Sequence, residues 1–404
     1  MTLRILYAAG PGDVIQTYRH WRAGEDDPSQ VAVTYSGQFF DVCRDLGAKA
    51  CVISSNDRRD ELLEEPFEIM HRPMRWRTRG GALYHLGQIW YGLRLIATAV
   101  RFRANVAVIG RYRHWFVLAP LVLFGVRVIP TLHGAFWLPG RRSFKRIPDR
   151  MLWRLNGWFW RRIASATICI SPECERQVRE LAPRRRGPVY IGTPIYRREY
   201  FRDVRSPKFD AEAQFTVMFA GRVERSKGVF DLLEVARLLN KDCPGRFRFE
   251  VCGDGSALAE LRRGVATEGL ERCVVLNGYL DREAMKLAFG RSHTVIVPTT
   301  IHFVEGVNKV ALEGVLAGRP VVTSRISNAV ELLGDAVVEV PREDSEAYRQ
   351  AIQKLSADPE FYAAKCRACH AAKERFYDSY RSWGGILRSM LAAREGAALP
   401  KETE

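Results

Sequence analysis

No stretch of this chain is apolar enough to cross a bilayer. The longest apolar run, Trp115 to Val126, stops at Arg127 after 12 residues, whereas a spanning helix needs about 20. The opening Met1-Thr-Leu-Arg-Ile-Leu-Tyr-Ala-Ala-Gly lacks the form of an export signal, because its short apolar run ends in a Gly-Pro-Gly turn. It reads as a first β-strand. Nine cysteines are an odd, scattered count, which excludes a secreted disulfide framework and points to a reducing cytoplasm. Cys366-Arg-Ala-Cys369-His370 has the spacing of covalent haem attachment, but it lies inside a continuous helical pattern from 358 to 380. No second Cys-x-x-Cys exists to complete a zinc site. No internal repeat is visible, which excludes a solenoid.

Acidic residues are scarce in one region. Between Ile69 and Arg198 the chain has 25 Lys+Arg but only Asp149, Glu173, Glu175 and Glu180, a net of +21. The whole chain carries +16: residues 1–200 hold 32 basic against 17 acidic, a net of +15, and residues 201–404 hold 30 against 29, a net of +1. The basic surplus therefore belongs to one half and calls for an anionic partner of that half: nucleic acid, membrane lipid or a phosphorylated substrate.

What is present describes a folded globular chain. It is 47% hydrophobic and 27% charged, and 404 residues are too many for one compact core, so two domains are expected. In the first half, short β-branched runs at 3–9, 49–54, 105–110, 126–133, 166–171 and 188–192 alternate with helical patterns at 39–46, 83–103, 115–124, 150–163 and 172–181. A polar, proline-containing segment follows at 194–212. A second alternating series has strands at 215–220, 247–252, 273–276, 294–298, 320–323 and 336–340. The pattern predicts two doubly wound α/β domains in tandem, at 1–193 and 213–375, joined by a linker at 194–212. Residues 376–404 are expected to form a C-terminal helix that packs back on the first domain. Ligands belong at the carboxyl ends of the strands and in the cleft between the domains.

The densest phosphate-handling features open the second domain. After the strand ending at Ala220 comes Gly221-Arg222-Val-Glu-Arg-Ser-Lys227-Gly228 and then a helix. Glycine after a strand permits close backbone approach, a helix N-terminus offers free N–H donors, and Arg222 and Lys227 add a fork and a point charge for a diphosphate. A surface turn with two solvated cations would look the same in isolation. The second feature is Glu305-Gly306-Val307-Asn308-Lys309-Val-Ala-Leu-Glu313. If helical throughout, those eight steps rise about 12 Å, beyond the roughly 5–9.5 Å between the carboxyls of a glycosidase pair. The two glutamates read instead as separate contacts along one extended ligand, Glu305 in the loop before the helix and Glu313 two turns along, and a carboxylate is a good bidentate acceptor for a vicinal diol. Two solvated helix glutamates are the plain alternative.

These elements together resemble the donor domain of retaining family 4 glycosyltransferases of the GT-B fold. The shared features are Gly221-Arg222…Lys227-Gly228, Gly253-Asp254-Gly255, Glu305…Glu313 and Gly318-Arg319-Pro320-Val321-Val322, in order, within 213–345. The earlier half is consistent through its length and rhythm. The resemblance implies that Arg222 and Lys227 neutralise the donor diphosphate. It also implies that Glu305 and adjacent backbone amides address the sugar, Glu313 holds the ribose, and the loop at Gly278-Tyr279-Leu280 receives the base. Where the family often has Gly-Phe-Gly, this chain has Gly306-Val307-Asn308 followed by Lys309, which puts the identity of the sugar in question.

In the first domain, Gly10-Pro-Gly12-Asp13 follows the first strand, and in the resembling family that turn faces the cleft. His133, at the end of a strand and followed by Gly134, matches the family's cleft histidine and is expected to touch the transferred sugar. The resemblance further implies attack on the donor face that retains anomeric configuration, with the leaving phosphate taking the acceptor proton. No resident cofactor is expected. No metal is expected either, since the chain has no Asp-x-Asp in the relevant place and the diphosphate charge falls to Arg222, Lys227 and the helix N-terminus.

Tryptophans interleave with the basic charge of the first domain, a combination suited to a membrane interface. Arg150–Arg162, with Trp153, Trp158, Trp160 and Arg161, is the candidate membrane face. The expected protein is therefore a cytoplasmic, peripheral glycosyltransferase moving sugar from a nucleotide-diphosphate sugar to a lipid-linked acceptor in cell-surface polysaccharide or glycan assembly. The alternatives are transfer to a soluble acceptor, an epimerase or phosphorylase on the same fold, and a basic nucleic-acid-binding protein.

Overall fold

The computed structural model describes residues 2–76, 79–139 and 147–392. Two sheets organise it. The first contains β1 (Arg4–Ala8), β2 (Lys49–Ser54), β3 (Asp60–Glu64), β4 (Phe67–His71), β5 (Val106–Gly110), β6 (Arg127–Leu132), β7 (Thr167–Cys169) and β8 (Val189–Ile191), in the order β3-β4-β2-β1-β5-β6-β7-β8. All its pairings are parallel except β3 with β4. The second contains β9 (Phe215–Ala220), β10 (Phe247–Cys252), β11 (Val274–Gly278), β12 (Thr294–Val297), β13 (Val321–Thr323) and β14 (Val337–Glu339), all parallel, in the order β11-β10-β9-β12-β13-β14. Each order turns outward from its first strand, the doubly wound arrangement that leaves a crevice at the strand carboxyl ends.

Helices cover both faces. Around the first sheet lie α1 (Val14–Ala23), α2 (Tyr35–Leu46), α3 (Gly81–Arg101), a 3₁₀ segment at Trp115–Phe124, α4 (Ile147–Arg162) and α5 (Pro172–Leu181). Next come α6 (Arg198–Arg202), α7 (Val229–Asp242), α8 (Leu258–Thr267), α9 (Arg282–Arg291) and α10 (Lys309–Leu316). The series ends with α11 (Val330–Leu333), α12 (Ser345–Ala357), α13 (Pro359–Ala372) and α14 (Trp383–Ala392). Coverage on both sides explains why β1, β2 and β5 are buried almost throughout rather than alternating. Pro120 lies within the 3₁₀ segment; proline lacks the amide that a longer α-helix would need there.

Three elements differ from the sequence expectation. The β3–β4 hairpin was hidden because β3 is short, charged and exposed at the sheet edge, where charge blunts edge pairing. Helix α1 was hidden because its polar residues mask a buried stripe of Val14, Ile15 and Tyr18. The 194–212 segment, expected to be irregular, contains α6, which buries Tyr200 and Phe201. Arg319, itself buried, donates to the Phe289 carbonyl, the Ser206 hydroxyl and the Arg205 carbonyl, tying that segment to the second domain.

Of the helix expected over 376–404, residues 393–404 lie outside the described residues; α14 returns to the first domain, where it packs on α2 and the Gly384 amide donates to Gln38 Oε1 at 2.9 Å. Cys366 and Cys369 sit on α13, which gives way to a 3₁₀ turn at Lys373–Phe376 rather than running on to 380. All nine cysteines are free. Among the described residues, no helix is long and apolar enough to cross a membrane.

Candidate active site

The carboxyl ends of β5 and β6 face those of β9 and β12 across a cavity of about 1020 Å³. From the second domain it is lined by Gly221, Arg222, Lys227, Glu305, Gly306, Val307, Asn308 and Lys309, and from the first by His133. Nine of the expected site residues thus converge, although they are spread from position 133 to 309. A separate cavity of about 230 Å³ adjoins it through the shared residues Ser29, Gln30 and Lys309, and it takes Tyr279 and Glu313. The remaining expectations fall elsewhere. Gly10, Gly12 and Asp13 line neither cavity; Asp13 is the N-cap of α1, accepting from Gln16 N at 2.9 Å, and that capping role explains the turn. Gly253 and Gly278 also line neither. They shape the backbone instead, the Gly253 amide donating to the Gly278 carbonyl at 2.7 Å.

Local chain geometry presents the cations. Gly228 has φ +77° and follows the short 3₁₀ turn of Arg225–Lys227; a Cβ there would lie 1.9 Å from the Pro298 carbonyl oxygen. Only glycine permits that approach, which brings Lys227 beside the end of β12. Lys227 pairs with Glu305, and its Nζ sits 3.7 Å from the centre of the Phe303 ring. Arg222 pairs with Glu224 at 2.7 Å and remains solvent-exposed on the rim.

Glu305 is the hub of a buried network. Besides Lys227, Thr299 Oγ1 donates to it at 3.3 Å and Asn308 Nδ2 reaches both carboxylate oxygens at 3.2 Å. Asn328 holds its backbone carbonyl at 2.7 Å. Asn308 also caps α10, its Oδ1 accepting from Ala311 N at 3.0 Å. The Asn that departs from the usual family glycine is therefore both helix cap and carboxylate orienter. Glu305 lies before the helix and Glu313 within it, both largely buried.

Lys309 spans the cleft, donating to Gln30 Oε1 at 2.8 Å and lying 5.9 Å from the Tyr35 ring centre. Burial pushes Lys309 down from its ordinary range and Glu313 up to about 7, each partly opposed by the charge of the other. His133 shares a 2.9 Å hydrogen bond between Nε2 and Thr131 Oγ1. Burial, then Lys309 and Arg111, push its pKa down to about 3, so the ring is neutral at pH 7. Its backbone lies close against the second domain: a Cβ on Gly306 would be 2.4 Å from the His133 carbonyl oxygen.

Several lining residues escaped sequence reasoning. Arg111 and Arg113 enter from the end of β5 just as His133 enters from β6, and the rule that ligands gather at strand ends would have found them. Thr299, directly after the strand expected at 294–298, falls under the same rule, whereas Phe303 carries no such signal, and neither does Asn328, which lies outside the cavity lining and holds the Glu305 carbonyl from behind. The candidate membrane face needs correction. Trp153 and Trp160 are buried, Trp160 in an aromatic cluster with Trp115, Phe136 and Phe159. Trp153 lines the large cavity. Of the tryptophans named, Trp158 faces outward, and Arg150 and Arg162 lie beside it on the exposed side of α4.

Known proteins share this architecture. The model of the family described as "Glycosyl transferases group 1" matches residues 214–358. Glycogen synthase of Mycobacterium tuberculosis is 25% identical over 337 residues, covering 77% of this chain and 74% of that one. The amylovoran biosynthesis glycosyltransferase AmsK of Erwinia amylovora is 28% identical over 182 residues, 43% of this chain and 44% of its own. Among solved structures, Anabaena HepE in complex with UDP superposes with a TM-score of 0.66 at 16% identity, over 97% of this chain and 98% of that one. The trehalose 6-phosphate synthase of Burkholderia multivorans does so with a TM-score of 0.68 at 13% identity, over 97% of each chain. The protein has the GT-B fold and is a glycosyltransferase, its second domain carrying the group 1 family pattern.

Proposed function

We propose that the chain transfers a glycosyl group from a nucleotide-diphosphate sugar to a membrane-held, lipid-linked acceptor in surface glycan assembly, retaining anomeric configuration as in family 4. The nucleoside occupies the cavity beside Tyr279 and Glu313, and the diphosphate and sugar extend into the large cavity toward His133. Use of a nucleotide-sugar donor is supported by the complex of the similarly folded HepE with UDP. Assembly of a polysaccharide is supported by the name of the amylovoran relative.

Leaving-group stabilisation falls to Arg222 and Lys227. Before ligand arrives, each cation is held by a carboxylate, so it is already positioned when a diphosphate takes over as its partner. Glu305, kept in place by Asn308 and Thr299, then lies beside the sugar. Neutral His133 offers a hydrogen bond without adding charge. The departing phosphate oxygen accepts the acceptor proton, and no metal enters the scheme.

One observation carries the membrane assignment. α3, the 3₁₀ segment and α4 pack together and present opposite sides to different surroundings. Tyr84, Gln88, Trp115 and Trp153 face the large cavity, while Leu86, Leu93, Leu123, Phe124, Leu155 and Trp158 are exposed. Arg94, Arg101, Arg150, Arg154 and Arg162 are on these same elements or at their ends. An apolar, cationic face backing directly onto the acceptor half of the cleft suits a substrate anchored in an anionic bilayer.

The test begins with a thermal-shift screen of nucleotide-sugars, since a donor at a hundred times its Kd adds about 2.7 kcal/mol. The stabilising donor, radiolabelled in the sugar, is then offered to membrane extracts and to soluble sugars, with and without a chelator. Label moving into the lipid-extractable fraction despite chelation is the expected result. Transfer only to soluble sugars would overturn the acceptor assignment, and loss of transfer on chelation would overturn the metal-free scheme.

A further inference from the structure

A third cavity, of about 640 Å³, lies between β4 and α3, outside both cavities of the active site. Arg59, Arg72, Arg75 and Arg94 line it, together with His71 and Trp90. Asp60 and Glu61 of the edge strand also contribute, leaving four guanidinium charges against two carboxylates. Among the described residues none of the four arginines makes an ion pair, although surface arginines elsewhere commonly do.

Arg72 is the anchor of this cluster. Its Nη1 donates to Thr98 Oγ1 at 2.7 Å and its Nη2 contacts Met70 Sδ at 2.9 Å, which fixes the plane of the fork. Thr98 in turn donates to the Arg94 carbonyl at 2.8 Å, coupling the two arginine positions through one hydroxyl. Burial, and then the neighbouring guanidiniums of Arg94 and Arg101, push Arg72 below its ordinary range. Arg72 and Arg94 are partly buried and Arg59 and Arg75 exposed; the partly buried pair is costly without a carboxylate partner unless an anion offsets it, and arginine forks match the oxygen spacing of phosphate. Trp90, about half exposed, stands at the mouth on the same α3 stripe as Leu83, Leu86, Leu93 and Val100, spaced at helical intervals.

We propose that this cavity is a second anion site that binds a phosphate ester, separate from the donor site. A lipid headgroup and a free phosphate share the oxyanion chemistry it recognises. The apolar stripe beside the mouth brings a bilayer within reach of the site. The proposal does not depend on the transfer reaction, because its ligand never needs to enter the large cavity.

The experiment uses inorganic pyrophosphate as probe, titrated calorimetrically into the full chain carrying Arg222→Gln and Lys227→Gln, so that binding at the donor site is weakened. Binding should persist in that background and weaken about tenfold, about 1.4 kcal/mol, when Arg59→Gln and Arg94→Gln are added. Arg59→Lys with Arg94→Lys should restore part of it, separating charge recognition from damage to the fold. Absence of binding in the donor-site background, or binding unchanged by the Arg59 and Arg94 substitutions, would overturn the proposal. Sedimentation with phosphatidylglycerol and phosphatidylcholine vesicles then identifies the source. Partition onto phosphatidylglycerol lost together with pyrophosphate binding assigns a lipid headgroup, whereas pyrophosphate binding lost alone assigns a soluble phosphate.

Discussion

Of the cations that face the large cavity from the second domain, Lys227 is held by Glu305 and Arg222 by Glu224, while Lys309 donates to Gln30 Oε1 across the cleft. Those that reach it from the first domain, Arg111 and Arg113, make no ion pair among the described residues, and Arg113 lies 5.9 Å from the Trp153 ring centre. The near-neutral half thus presents cations already oriented by built-in partners. The strongly basic half presents cations with few acidic residues to meet them. Oriented cations suit a charge that develops during reaction, whereas uncompensated ones suit a substrate that arrives already anionic.

Removing one cation from each side is the sharpest way to break this comparison. Lys227→Ala should lower kcat by about 10²–10³, the scale for losing one transition-state donor, with a smaller change in donor KM. Arg113→Ala should raise acceptor KM and leave kcat within severalfold, the pattern of lost ground-state binding. Steady-state kinetics with both substrates varied would decide. Equal losses of kcat in the two variants would abolish the distinction between the domains.

The second test sets two tryptophans of one helix against each other. Trp160 is 1% exposed and Trp158 is 40% exposed. Trp160→Ala should cost about 3–5 kcal/mol in denaturant unfolding through loss of buried aromatic packing. Trp158→Ala should stay within about 0.5 kcal/mol, as surface changes usually do, and reduce partition onto anionic vesicles. If both variants unfold early, the exposed face of α4 is structural rather than a docking surface.

That pair also shows what the sequence could reveal. The alternation of β-branched runs with helical patterns marks both sheets because parallel strands covered on both faces must be apolar throughout. Arg222, Lys227 and Glu305 could be placed beside the cavity because strand ends and helix starts dictate where charge can meet a ligand, whereas Glu313, within α10, was marked by its spacing from Glu305. The facing of α4 was harder to read. Tryptophans at 153, 158 and 160 interleave with arginines around most of the helix, and only tertiary packing decides that 153 and 160 turn inward. Asp13 misled for a related reason: a Gly-Pro-Gly-Asp turn serves helix capping as well as ligand approach. Phe303, under Lys227, and Asn328, which holds the Glu305 carbonyl, were invisible because they arrive through loop paths that no periodicity encodes.

The smallest expected effect concerns Glu313 and separates the nucleoside cavity from the large one. Burial raises its carboxyl to about 7, so near neutrality the group is part protonated, whereas His133, with its pKa near 3, stays neutral throughout this range. Accepting hydrogen bonds from both hydroxyls of a ribose requires the ionised carboxylate. Affinity for the nucleoside diphosphate should therefore fall as pH drops from 8 to 6, by about tenfold if only the ionised form binds. For stability the sign runs the other way. Between its unfolded value and about 7, the folded chain retains a proton that the unfolded chain has released, so this group's contribution is present at low pH and is lost as pH rises through about 7. Glu313→Gln should flatten the pH dependence of nucleotide binding and leave affinity at every pH near the protonated level. Calorimetric titration of UDP across the pH range makes the comparison directly. A pH profile that survives unchanged in Glu313→Gln would place the ribose contact on another residue.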